Sequence, residues 1–160
     1  MAKEVVSAGT VAPDFRLPAS DGSVVDLKEA TGRGPVVLFF YPKADTPGCT
    51  KEACGFRDAL ADYRKMDVPV YGISPDPIKA VKKFADKYEL NFPLLADEDH
   101  AVAEKYGVWG EKKFMGRKYM GVARTTFVIG KGGKVLHVFE NVKPEGHEKE
   151  VMGWLRENVG

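Results

Sequence analysis

The run Pro35-Val36-Val37-Leu38-Phe39-Phe40-Tyr41 is apolar at every position and rich in strand formers. Such a run offers no polar face to water, so it predicts a central strand covered on both sides. It is the longest apolar run in the chain and is far too short to span a bilayer. A turn follows, and from Pro47 to about Met66 the period changes. There Ala53, Phe56, Leu60 and Tyr63 recur at spacings of three and four, the signature of a helix with one buried face. The only two cysteines, Cys49 and Cys54, both fall in this passage from strand to helix.

Other segments place this unit in a fold. Asp14 to Leu17 and Val24 to Leu27 alternate around the turn Ala19–Ser23 and predict an N-terminal β-hairpin. Val68 to Ser74 reads as a second core strand. Asp76 and Pro77 read as the N-cap and first turn of a helix through Tyr88. A short helix is expected from Ala101 to Tyr106. Thr125–Ile129 and Val135–Phe139 flank a glycine-rich turn at Gly130 to Lys134 and predict a hairpin. Glu148 to Asn158 closes the chain as a helix. The order β-β-β-α-β-α-α-β-β-α mixes a parallel βαβ unit with antiparallel pairs, which predicts an α/β fold with a central mixed β-sheet flanked by helices. Residues 1–160 are expected to form one domain. Lys112 to Met120 reads as a basic-aromatic loop, either bordering the site or simply solvated.

Composition narrows the function. Lys plus Arg (24) nearly balances Asp plus Glu (23), so neither nucleic acid nor an anionic membrane is expected as partner. The start, Met1 to Ser7, lacks an apolar leader core, and a cytoplasmic setting is expected, with an organellar mature form as the alternative. In that setting a close cysteine pair is catalytic or metal-binding more often than a static staple. A zinc site needs two further ligands, and the three histidines, His100, His137 and His147, are scattered without ligand spacing. No metal or cofactor is expected. The same scatter argues against a cysteine–histidine protease pair.

Cys49 follows Thr46-Pro47-Gly48, residues of turns and helix starts rather than cores. A thiol in the first helical turn lies near unpaired N–H groups and the positive end of the helix dipole, where a thiolate is favoured. Thr46, three residues earlier, carries a hydroxyl that caps the helix, serves the thiol, or does both. Pro42 ends the strand, fixes the loop and shields the thiol. A cation is wanted beside developing negative charge, and Arg124, placed just before the apolar strand Thr125–Ile129, is the candidate. Glu52 would orient it, or else be a solvated carboxylate on the helix face, the reading the sequence favours slightly. A helix sets Cys49 and Cys54 about 7.5 Å apart along its axis and about 140° around it. A disulfide needs Cα atoms within about 7 Å and converging side chains. Either the pair never bonds or the helix start melts when it does.

These residues resemble a known family. Pro42-x-x-x-Thr46-x-x-Cys49 is similar to the peroxiredoxin active-site signature, Ala12-Pro13-Asp14-Phe15 to its N-terminal motif, and Arg124 to Ile129 with Gly132-Gly133 to the segment bearing its arginine. Cys54 resembles the arrangement of the bacterioferritin comigratory protein (peroxiredoxin Q) subfamily. The resemblance implies a thioredoxin-like fold, usually a monomer, and reduction of hydrogen peroxide and organic hydroperoxides. It implies Cys49 as the peroxidatic and Cys54 as the resolving cysteine, Thr46 and Arg124 as peroxide-binding residues, and Pro42 as the shield. It implies thioredoxin as reductant and a role in antioxidant defence. Two rivals share the fold: a disulfide-exchange or chaperone-like protein, which would need neither Thr46 nor Arg124, and a redox sensor that signals instead of turning over.

Overall fold

The computed structural model describes residues 4–159; Met1 to Lys3, part of the start read above for a leader, and Gly160 lie outside them. The apolar run becomes β3 (Val36–Phe40), and all five of its residues are buried. Its pleat sends Val37 and Phe39 to one face and Val36, Leu38 and Phe40 to the other, so one strand supplies two separate cores. Its neighbours explain the burial. β4 (Val70–Ser74) runs parallel on one side and β8 (Thr125–Ile129) antiparallel on the other. β5 (Leu94–Ala96) and β9 (Val135–Phe139) take the edges, giving the order β5-β4-β3-β8-β9. The central mixed sheet expected from the sequence is therefore present.

One face is covered by α2 (Pro47–Lys65), α3 (Ile78–Lys87) and α5 (His147–Asn158). There Phe39 stacks on Phe56 of α2 with ring centroids 4.8 Å apart. The opposite face is covered by α4 (Ala101–Lys105) and the N-terminal hairpin of β1 (Arg16–Pro18) and β2 (Val24–Asp26), with α1 (Leu27–Thr31) running on from it. No helix of the described residues is long and apolar enough to cross a membrane.

Two expectations are corrected, and two short elements are added. Lys112 to Met120 is not a loop but most of a second hairpin, β6 (Trp109–Phe114) with β7 (Arg117–Val122). Its turn is made by Met115 (φ 51) and Gly116 (φ 79), the left-handed pair of a tight primed turn. Short α1 and β5 were hidden because three to five residues carry too little periodicity to stand out. Asp76 does not cap α3; Pro77 takes that position, and the Asp76 carboxylate accepts the Ala44 N–H at 2.8 Å instead. It thereby ties the β4–α3 connection to the loop that leads into α2.

The sheet tolerates little change where α2 and α3 cover it. A Cβ on Gly72 in β4 would lie 2.7 Å from both Leu94 Cδ2 and Phe39 Cζ. Gly72→Ala should therefore cost roughly 1–3 kcal/mol by overpacking and lower Tm by several degrees in thermal unfolding. An unchanged Tm would show that Phe39 and Leu94 have room to yield.

Candidate active site

The site is assembled where β3 ends. Tyr41 N–H still bonds the Ile73 carbonyl at 3.0 Å, and Pro42 then breaks the strand. Pro47 occupies the first turn of α2, where its fixed φ and missing N–H cost nothing. Thr46 is the N-cap, as expected, but it caps through its backbone: its carbonyl accepts Thr50 N–H at 2.8 Å. Its hydroxyl donates to the Lys43 carbonyl at 2.8 Å, which closes the loop on itself. Cys49 sits in the first helical turn and is 1% exposed.

The register of β8 supplies the cation. Thr125 pairs with Phe40, so Arg124 lies beside the point where the chain leaves β3. Its Nη2 donates to Cys49 Sγ at 3.4 Å and its Nη1 to Glu52 Oε1 at 2.7 Å. Gly48 makes the approach possible, since a Cβ there would lie 3.1 Å from Nη2 and 3.4 Å from Pro144 Cγ. The ion pair is enclosed, with side-chain exposures of 16% for Arg124 and 0% for Glu52. Burial pushes Glu52 up to about 7, against the pull of Arg124. Burial draws Arg124 down, and Glu52 and Cys49 more than offset this, leaving it above its ordinary value.

The slight preference for a solvated Glu52 is thus overturned. Glu52 lies one turn after Cys49 on the inner face of α2, and the 3.6-residue period was the signal that pointed there. Tyr41 also went unnoticed: its buried hydroxyl lies near that of Ser74 without forming a well-aligned hydrogen bond, and burial holds it protonated. Lys112, from the basic-aromatic segment read as bordering the site or solvated, is half-buried, and its Nζ donates to the Val122 carbonyl at 3.0 Å. Burial, and then Arg124, lower its proton affinity, while Cys49 raises it. Cys54 is half-buried further along α2, and both thiols are free. The helix is unbroken from Pro47 to Lys65, the state in which its geometry keeps the sulfurs from bonding. Pro42 is half-buried. His147 is buried within hydrogen-bond distance of Thr126 (2.7 Å) and Glu150 (2.9 Å). Among the described residues no group of three or more His, Cys, Asp or Glu side chains is arranged to hold a metal ion.

A buried thiol in a first helical turn, in contact with an anchored guanidinium on a thioredoxin-like sheet, defines a thiol-based redox enzyme. The AhpC/TSA family matches residues 8–138. Peroxiredoxin Bcp of Escherichia coli K12 is 48% identical over 154 residues, which cover 96% of this chain and 98% of that protein. Among solved structures, peroxidoxin BcpB of Mycobacterium tuberculosis matches with a TM-score of 0.85 at 39% identity, over 97% of this chain and 99% of the other. Peroxiredoxin Q of Xanthomonas campestris matches with a TM-score of 0.86 at 29% identity over both full chains. The chain belongs to the AhpC/TSA family, and within it to the Bcp (peroxiredoxin Q) peroxiredoxins. It is a peroxidase, an oxidoreductase that works through thiol chemistry.

Glu52 gives the site a pH signature. Its folded-state value, about 7, lies above its ordinary 4.5, so between these limits the folded chain holds a proton that the unfolded chain releases. Folding stability from this group is full below 4.5 and declines as pH rises through 7. Glu52→Gln removes the titration. The stability of wild type relative to this variant should fall by as much as a few kcal/mol between pH 5 and pH 8 in denaturant melts. A pH-independent difference would show that Arg124 keeps Glu52 ionised throughout.

Proposed function

We propose that Cys49 is the peroxidatic cysteine, Cys54 the resolving cysteine, and Arg124 with Thr46 the groups that hold the peroxide. The observation that carries this reading is the 3.4 Å contact between Arg124 Nη2 and Cys49 Sγ, at a helix start. Guanidinium and helix dipole both set positive charge beside the sulfur, and the guanidinium is already turned toward the charge that develops on oxygen. The Cys49 thiolate attacks one oxygen of ROOH. An S–O bond forms as the O–O bond breaks, the sulfur loses two electrons, and the departing RO⁻ takes a proton to leave as water or alcohol. Cys49 is left as a sulfenic acid. Pro42 and the burial of the sulfur keep bulk water and large thiols away from it.

Cys54 then attacks the Cys49 sulfur, and a disulfide forms with loss of water. An intact α2 holds the two sulfurs apart, so the first turns unwind at this step. A dithiol protein, thioredoxin in this reading, returns two electrons and restores both thiols. The substrates are hydrogen peroxide and organic hydroperoxides, and the role is antioxidant defence. The bacterioferritin comigratory protein of Xanthomonas campestris is described as reducing alkyl peroxides, which supports this substrate class. The reading includes a cytoplasmic enzyme that works as a monomer.

Peroxide consumption in a thioredoxin-coupled assay tests the assignments. Cys49→Ser should abolish turnover. Arg124→Met should lower kcat/KM for peroxide about 10²–10³-fold, the usual cost of losing a preorganised donor to a developing oxyanion. Cys54→Ser should still yield a sulfenic acid, trapped by dimedone, yet lose thioredoxin-dependent turnover. Full activity in Cys49→Ser overturns the mechanism, and undiminished turnover in Cys54→Ser removes Cys54 from it.

A further inference from the structure

The loop before α2 is held in a conformation that most residues avoid. Asp45 has φ 57, in the left-handed region, immediately before the N-cap Thr46. Its side chain is bound at both oxygens to the end of α3. Lys87 Nζ donates to Oδ2 at 2.9 Å, and Tyr88 OH donates to Oδ1 at 2.9 Å. Tyr88 is itself fixed: its ring meets Phe84 edge-on at 5.6 Å, and its carbonyl accepts Arg57 Nη1 at 2.7 Å. Arg57 belongs to α2, three residues after Cys54. One residue at the end of α3 therefore grips the chain on both sides of the Cys49–Cys54 segment, before the first thiol through Asp45 and after the second through Arg57. None of these groups bonds to the thiol or to Arg124 in the structure.

We propose that Asp45, held by Lys87 and Tyr88, is a positioning latch on the helix start, and that its strength sets how fast oxidised Cys49 reaches Cys54. The proposal rests on the resolving role read for Cys54 above. Peroxide attack needs the folded helix start, which Thr46, Pro47 and Arg124 hold without the latch. Disulfide formation needs that start to open, and the loop carrying Thr46 has to yield as it does. Interactions made in the closed form and lost on opening slow the second step and leave the first alone. The sulfenic acid meanwhile has two fates. Cys54 can attack it, forming the disulfide and releasing water. Alternatively a second ROOH can transfer one oxygen to it, leaving as alcohol and converting Cys49 to a sulfinic acid. A tighter latch diverts more enzyme to the second fate.

The test uses the full chain, reduced and free of reductant, pulsed with peroxide and followed by rapid-quench mass spectrometry. Asp45→Asn removes the anion while keeping a residue that tolerates φ above zero. Tyr88→Phe removes a single O–H and leaves the ring and the carbonyl bonded to Arg57. In each variant the disulfide should form about threefold faster, the effect of losing one hydrogen bond of ordinary net strength. The sulfinic fraction at high peroxide should drop by a similar factor, with the rate of Cys49 oxidation unchanged. A disulfide rate equal to or slower than wild type in both variants overturns the latch. So does a Cys49 oxidation rate that falls in step with the substitutions, because the residues would then be shaping the peroxide pocket. If wild type forms no Cys49–Cys54 disulfide, the resolving role itself fails, and the latch fails with it.

Discussion

The contact among Arg124, Glu52 and Cys49 is the constraint on which the other features of the site depend. A guanidinium placed beside a buried sulfur costs desolvation, and a partner carboxylate in the same enclosure offsets it only when the geometry is good. Here the geometry comes from three elements at once. The β3–β8 register delivers Arg124, the inner face of α2 delivers Glu52 one turn after Cys49, and Gly48 leaves room for the guanidinium. Removing any one of them leaves a charge or a polar group buried without its partner. The ion pair therefore contributes position more than net stability, and the raised proton affinity of Glu52 reflects that cost.

The same helix start has two opposed duties. Dipole, cap and ion pair all favour a straight, closed first turn around Cys49, and the closed turn keeps Cys54 out of reach. An enzyme that uses both thiols needs the closed state to be stable enough to bind peroxide and unstable enough to open in each cycle. The interactions that hold it are of a kind suited to this. Most of the loop's ties are single hydrogen bonds at or near the surface: Thr46 to Lys43, Ala44 to Asp76, and Asp45 to Lys87 and Tyr88. Each is weak enough to break without disturbing the sheet beneath. Cys49 is itself buried in the core, but the larger side chains that anchor α2 to the sheet, Phe56, Leu60 and Tyr63, all lie beyond it.

Much of this was legible in the sequence, because the governing signals are local. The apolar run of β3, the period of α2 and the turn residues Thr46-Pro47-Gly48 each state their structure within a few positions. Together they place Cys49 at a helix start. Arg124 could be nominated from its place before a buried strand, yet its contact depends on which strand pairs with β3, and that is a property of the whole sheet. Glu52 was underrated for the same reason: a carboxylate on a helix is usually solvated, and only the arrival of Arg124 from 72 positions away makes burial tolerable. The β6–β7 hairpin was read as a loop because Lys112, Lys113, Arg117 and Lys118 mask the alternation of a strand exposed on most of its length.

Cysteine spacing gains a physical meaning from this arrangement. Two residues closer, as in C-x-x-C, a pair shares one helical turn and can bond with little rearrangement, which suits rapid exchange with other disulfides. At five residues the pair cannot bond until backbone hydrogen bonds are broken, so under the proposed roles oxidation of Cys49 and resolution by Cys54 are separate events in separate conformations. The buried sulfur can then be matched to a small, reactive peroxide in the closed form. In the proposed cycle the disulfide forms only when the segment opens, which also presents it to a protein reductant too large to enter the closed site. On the proposed roles, the spacing thus assigns small substrates and macromolecular partners to different states of a single helix turn.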